Sequence, residues 1–465
     1  MMRSEFIFLL TSVAVILADD IIVLNQGSVK GHRLTTRKGG EIFAFQGIPY
    51  ANPPVGELRF QPPQAKEPWS GVLDATKEAP VCVQRGIYPG DNEIRGQEDC
   101  LYLNVYTPRM PDSTLGVVPL DVMFWIHGGG WFNGSGNTDF YGPQYLLDKD
   151  IILVTINYRL GTIGFISTED AACPGNNGMK DQVAALRWVR DNIAAFGGNP
   201  SSVTIFGESA GGASVHYHML SPASKGLFHR AISQSGNALG VWAFTPKGRP
   251  KYLAEKVADL FDCPAQPSTE LISCLRKQDS YKLFKAELSI SGDGNSPVTF
   301  GPVTETVGFL GEKLETNLED SPLIKLLLSE FEDKSLRTEI TQKIQKFYFG
   351  DKPTATDATS SLIDSGPVHL DDVLYLFPQN HTFPNSKLTP EDEHMVETLT
   401  TLWVNFARQG KPAPSWNPVS SPDVLDYARI AYDGLHPGQG LLKERIEFWD
   451  SLQSRFKKTS DKDEL

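Results

Sequence analysis

Short apolar runs alternate with longer stretches of helical spacing from about Ile21 to Leu220. Residues 101–106 (LYLNVY), 121–126 (DVMFWI) and 151–156 (IILVTI) are rich in β-branched and aromatic side chains, which predicts strands in the core of a sheet. Residues 178–196 carry a helical apolar repeat, and residues 203–206 (VTIF) are a short buried strand leading into a helix over 210–220. This order predicts an α/β protein with a mostly parallel central sheet and helices on both faces, in which functional loops gather at one sheet edge. After Ser235 the pattern changes. Helices are expected over 250–261 and 335–348, separated by segments rich in Gly, Pro and Ser. A further helix starts at Thr389-Pro390-Glu391, with a cap, a first-turn proline and acids at the positive end of the dipole, and stops at Gly410. There is no repeat, and nothing marks a linker, so residues 19–465 read as a single domain.

The candidate chemistry lies on these turns. In VTIFGESAGGAS, Ser209 occupies the corner between strand and helix, and Gly207 and Gly211 supply the missing Cβ atoms that let the two elements approach. This is the Gly-x-Ser-x-Gly arrangement of a serine nucleophile. Acyl transfer also needs N–H donors for an oxyanion, a histidine base and an acid to orient it. His127-Gly-Gly-Gly-Trp131 follows directly on a strand, and consecutive glycines leave backbone N–H groups unobstructed.

At this point the chain resembles the type-B carboxylesterase and cholinesterase family of α/β-hydrolases. The matching stretches are FQGIPYANPPVGELRFQPP, EDCLYLNVY, HGGGW, INYRLGTIGF, GNNGMKDQVAALRWVRDNIAAFGGNP, GESAGGASV and RAISQSG, which cover nearly all of the first half. The resemblance implies the α/β-hydrolase fold, Ser209 as nucleophile, and oxyanion donors at Gly129, Gly130 and the N–H of Ala210. It also pairs Cys82 with Cys100 and Cys263 with Cys274, and it implies no metal or organic cofactor. It resumes at GPVHLDDVLYLF, which nominates His369 as the base.

Between these matches the chain departs from the family. The family's acid lies in a Glu-Gly segment after a strand, and this chain contains no Glu-Gly pair. Residues 350–368 hold no apolar run long enough to deliver the histidine loop to the sheet. Ser209 and His369 are 160 positions apart, several tens fewer than in relatives. The C-terminal half is therefore expected to be truncated internally by two missing segments. Glu330, Asp333 and Asp364 read as solvated charges, Asp371 and Asp372 follow His369 closely, and the acid stays unassigned.

Charge and the two ends narrow the setting. A net charge of −13 with no cluster of Lys and Arg argues against a nucleic-acid partner. Arg3, the apolar run from Phe6 to Leu17, Ala18 and the acids after it predict a signal peptide over residues 1–18, too short to span a membrane comfortably. No later stretch reaches a transmembrane length, so the mature protein is expected to be soluble, without a membrane span. Lys462-Asp-Glu-Leu465 then reads as an address for the KDEL-type retrieval receptor, placing the protein in the endoplasmic reticulum lumen, with secretion as the alternative. Its fifth cysteine, Cys173, has no basic flank to activate it and reads as a buried free thiol. The sequon at Asn380 is expected to carry a glycan, while that at Asn133 abuts the glycine loop and is too recessed.

The expected function is that of a serine carboxylesterase acting on small carboxylic esters through an acyl-enzyme, impaired by the missing acid. The alternative is an inactive esterase-like isoform or binding protein in the secretory pathway. A cholinesterase is disfavoured because the segment from Cys82 to Cys100 has no tryptophan to receive a quaternary ammonium, Tyr88 being a weak substitute. Juvenile-hormone esterases tend to have Gln where Glu208 stands, which favours a general carboxylesterase.

Overall fold

A computed structural model of the protein describes residues 20–86, 93–111, 118–240, 242–290, 298–305, 309, 343, 346, 369–378, 387–421, 424–448 and 451. The expected signal peptide, the helix over 335–348 apart from residues 343 and 346, which are helical, Tyr88, Glu330, Asp333, Asp364, Asn380 and the terminal Lys462–Leu465 lie outside them.

The central sheet is built from β1 (His32–Thr35), β2 (Glu41–Pro49), β3 (Tyr102–Thr107), β4 (Leu120–Ile126), β5 (Ile152–Ile156), β6 (Gly198–Glu208) and β7 (Arg230–Gln234). Their spatial order is β7-β6-β4-β5-β3-β2-β1. The half that carries the candidate serine is parallel: β5 pairs with β4, β4 with β6, and β6 with β7. The other half, β5-β3-β2-β1, is antiparallel. Among the described residues no strand adds beyond β7.

Alternation along the strands sorts the core into two layers. Val122, Phe124 and Ile126 of β4 face a cluster with Val183 and Leu186 of α1 (Asn177–Asn192) and Ala213 and Tyr217 of α2 (Ala210–Leu220). Met123 and Trp125 face the opposite cluster, with Phe206. The smaller helices α3 (Arg249–Asp259), α4 (Ser268–Arg276) and α5 (Ser280–Ile290) extend the first layer through Leu253, Leu271 and Phe284. Beneath the sheet lie α6 (Asp371–Leu374), which sets Val373 in the second layer, and α7 (Pro390–Gln409), with Met395 and Leu399. α7 begins with the cap read from sequence: the Thr389 side chain accepts from the Asp392 N–H, Asp392 reaches back to the Thr389 N–H, and Gly410 ends the helix at φ 72°.

Polar contacts fix the layers. Arg159 and Asp181 are fully buried and meet in a two-pronged contact at 2.7 and 2.7 Å, tying the turn after β5 to α1. At the other face Arg37, Lys38 and Lys149 converge on Glu397 of α7. Disulfides join Cys82 to Cys100 and Cys263 to Cys274. Cys173 is a buried free thiol, and burial pushes its pKa up to about 12.

Candidate active site

The site grows from the end of β6. Glu208 is the last residue of the strand and Ala210 the first of α2, so Ser209 alone makes the corner, at φ 56° and ψ −120°. Its N–H donates to the Gln234 carbonyl at the end of β7, 2.9 Å away. A side chain at Gly211 would collide with the Ile126 carbonyl of β4, and one at Gly207 would meet that oxygen at 2.5 Å. Any larger residue would force the helix off the strand, so these glycines are set by close approach. Positive φ at a residue with a side chain is strained and persists because β6, β7 and α2 over-determine it.

The glycine loop leaves the end of the neighbouring strand β4 and folds under this corner. Gly129 and Gly130 have φ of 96° and 60°, and the Gly129 carbonyl accepts from the N–H groups of Phe132 and Asn133. A Cβ on Gly128 would lie 3.0 Å from Glu208 Oε2 and 3.1 Å from the Ser209 Cβ, so loop and corner are in contact. Among the described residues the N–H groups of Gly129 and Gly130 donate to no acceptor. The Ala210 N–H, in the first turn of α2, has no partner within the helix. Trp131 anchors the loop through its indole N–H to Ser214 Oγ at 3.1 Å. Asn133 is buried, with its amide donating to the Arg85 carbonyl.

Two histidines stand near this corner, and their environments separate them. His127 is fully buried and stacked on Tyr158 at 4.2 Å, and burial lowers its pKa to about 4. It is a neutral part of the loop's scaffold. His369 precedes α6 and its side chain is 54 % exposed. Its Nε2 lies 2.9 Å from Oε1 of Glu208, whose side chain is 1 % exposed. The contact is close, yet neither Glu208 oxygen has a well-aimed hydrogen-bond donor among the described residues. The Glu208 carboxylate raises the His369 pKa, outweighing the imidazole's partial burial, while burial raises that of Glu208. Asp372 lies near both; its Oδ2 accepts from Gln234 Nε2 at 2.6 Å, and Gln234 Oε1 accepts from the Trp403 indole at 3.1 Å.

The structure thus gathers Ser209, Ala210, Gly129 and Gly130 at one corner and brings His369 to Glu208. No hydrogen bond joins Ser209 to His369 among the described residues. Glu208 and Gln234 escaped the sequence reading as partners of the histidine region. Glu208 was visible only as part of the serine motif, and no local signal pairs it with a residue 161 positions later.

The family model "Carboxylesterase family" matches residues 18–342 and 338–449. Esterase FE4 of Myzus persicae is 35 % identical over 508 residues, covering 88 % of this chain and 89 % of that protein. Because 88 % of 465 residues is about 409, about 100 aligned positions of that esterase have no counterpart here. Juvenile hormone esterase of Tribolium castaneum is 34 % identical over 555 residues, covering 92 % and 93 % of the two chains. A crystal structure of juvenile hormone esterase from Manduca sexta, with OTFP covalently attached, superposes with a TM-score of 0.78 at 26 % identity, covering 94 % of this chain and 100 % of that one.

Proposed function

Because the chain belongs to the carboxylesterase family of carboxylic ester hydrolases with the α/β-hydrolase fold, we propose that it acts through a serine acyl-enzyme on small esters. Ser209 Oγ attacks the ester carbonyl carbon while His369 takes its proton. The carbonyl oxygen becomes an oxyanion held by the N–H groups of Gly129, Gly130 and Ala210, and the alcohol leaves with the proton from His369. Water then repeats the cycle on the acyl group. The observation that carries this reading is a glycine loop, with N–H groups that meet no acceptor among the described residues, packed against a serine held at a strained strand-to-helix corner. The covalent adduct in the Manduca sexta relative supports a covalent route.

The same geometry supports impaired turnover. His369 turns Nε2 to Glu208, and among the described residues no strand pairs beyond β7. In serine proteases a triad without its acid loses roughly 10⁴-fold in kcat, through lost control of the imidazole tautomer and its charge. A panel of short-chain nitrophenyl esters, read against Ser209→Ala, tests the assignment. Low turnover that vanishes in the variant is expected; equal turnover in both would overturn it. The terminal signals support residence in the endoplasmic reticulum lumen, where no described helix is long and apolar enough to cross a membrane. Removing Lys462–Leu465 should release the protein to the medium, and equally fast secretion of the intact chain would refute retention.

A further inference from the structure

We propose that Ser214 is the positioning residue of the oxyanion site: its hydroxyl joins the glycine loop to the first turn of α2 and so holds the N–H groups of Gly129 and Gly130 in place against that of Ala210. The inference rests on Ser209 being the nucleophile, and it concerns a residue that touches no reacting atom.

The glycine loop needs an outside anchor. Gly129, Gly130 and Trp131 have φ of 96°, 60° and 58° in succession, and of the three only Trp131 has a side chain to be held by. A tryptophan at positive φ is strained and keeps that conformation only where its surroundings impose it. Its ring is fully buried, with Trp242 at 5.5 Å and Phe165 at 6.1 Å, and its indole N–H donates to Ser214 Oγ at 3.1 Å. The buried indoles of Trp125 and Trp188 find no acceptor among the described residues, so pairing is not a general property of this core.

Ser214 lies one helical turn beyond Ala210, and its hydroxyl donates to the Ala210 carbonyl at 2.8 Å. Serines in helices often bond backward in this way, but here the hydroxyl is also oriented from behind. Gln182 of α1 donates to it at 3.4 Å, Gln182 Oε1 meets His218 Nε2 at 2.8 Å, and His218 Nδ1 meets Ser224 Oγ at 2.7 Å. All four side chains are buried, and burial lowers the His218 pKa to about 3, which keeps the imidazole neutral. With the Gln182 amide donating to Ser214, its oxygen accepts Nε2–H and Nδ1 accepts the Ser224 proton. Both lone pairs of Ser214 Oγ are then filled, by Trp131 and Gln182, and its one proton is directed to Ala210. The clamp is two-sided: Trp131 follows Gly130 directly in the chain, and Ala210 carries the donor on the helix side.

The test reads the oxyanion itself, without turnover. The full chain is incubated with trifluoroacetone isotopically labelled at its carbonyl carbon. Ser209 Oγ adds to that carbon, the serine proton ends on the ketone oxygen, and the hemiketal hydroxyl so formed gives the proton up as pH rises. Its pKa is read from the NMR shift of the labelled carbon. In Ser214→Ala this pKa should rise by about one unit or more, a tenfold weaker hold on the oxyanion, and kcat on nitrophenyl acetate should fall about tenfold with KM little changed. Ser214→Thr, which keeps the hydroxyl, should stay close to wild type. Trp131→Phe removes the indole N–H from the loop side and should shift the pKa in the same direction; it decides the matter where Ser214→Ala fails to fold. A hemiketal pKa unchanged in these variants, even with lower stability to urea, would overturn the proposal, because the bonds would then serve folding alone. If wild type forms no hemiketal, or Ser209→Ala gives the same signal, the serine reading fails and takes this inference with it.

Discussion

Ser209 sits where β6, β7, α2 and the glycine loop meet, whereas His369 stands 54 % exposed ahead of a four-residue helix, fastened at its ring to one carboxylate. The contacts that fix the serine come from residues 120–236, packed too closely to admit a side chain at the glycines: a Cβ at Gly207 or Gly211 would strike the Ile126 carbonyl, and one at Gly236 the Ser209 carbonyl. The histidine is carried by the chain that returns beneath the sheet. Its anchors are Val373, Leu376 and Phe377, the last against Trp125 and Phe206 at 4.8 and 6.2 Å. The difference is that the candidate serine is placed by packing within one stretch of chain, while the candidate histidine depends on a long return path.

The sharpest way to break the contrast is to remove what makes the first region rigid. Asp181→Ala leaves the Arg159 guanidinium buried and unpaired, which should cost about 3–5 kcal/mol and carry the serine corner down with the sheet. Urea denaturation is the measurement, and a loss under about 1 kcal/mol would show that the turn after β5 can relax.

Phe377→Ala acts on the second region. It empties an aromatic site under Trp125 and should cost about 3 kcal/mol. Ester turnover should fall further than stability alone explains, because α6 and His369 lose their footing; labelling of Ser209 by an organophosphate in refolded protein would separate the two effects.

How far the sequence could be read follows the same division. The strands after Tyr102, the corner at Ser209 and the cap at Thr389 each depend on residues within a few positions, and period and capping chemistry expose such features directly. The expected loss of edge strands rests on a broken resemblance, and the residues on which it falls lie outside the described ones. Helices α4 and α5 were missed because each is short and lies between Pro, Gly and polar residues, with its apolar stripe defined only by the layer it covers. The meeting of Glu208 and His369 was illegible because it is a tertiary contact between an elbow and a loop, and neither segment encodes its distance from the other.

A smaller effect is expected from Glu287, which is buried on α5 and accepts from the Thr162 N–H at 3.0 Å beneath the first layer. Burial raises its pKa to about 7, so the folded state prefers the protonated form. The stability this preference contributes is complete below about pH 4.5 and is lost as pH rises through about 7. Glu287→Gln should therefore gain about 2–3 kcal/mol relative to wild type at pH 8 and little at pH 4. A pH-independent difference in thermal melting would refute this. The smallest change is Glu397→Ala, which removes the partly exposed hub shared by Arg37, Lys38 and Lys149 and should cost about 1 kcal/mol at low salt, less at high salt.

The unpaired thiol of Cys173 bears on how the chain matures. While the polypeptide is open, any of the five cysteines can attack any bridge, and a wrong partner is as reactive as a right one. Once the segment around Cys173 closes under the Ile166 carbonyl, which receives its S–H at 3.3 Å, the population of attacking thiolate collapses. Shuffling then ends from within, because the odd sulfur is withdrawn at the moment the core forms. The bridges present at that moment are kept, and no surface thiol remains among the described residues to join two copies of the protein or to be captured by small oxidants.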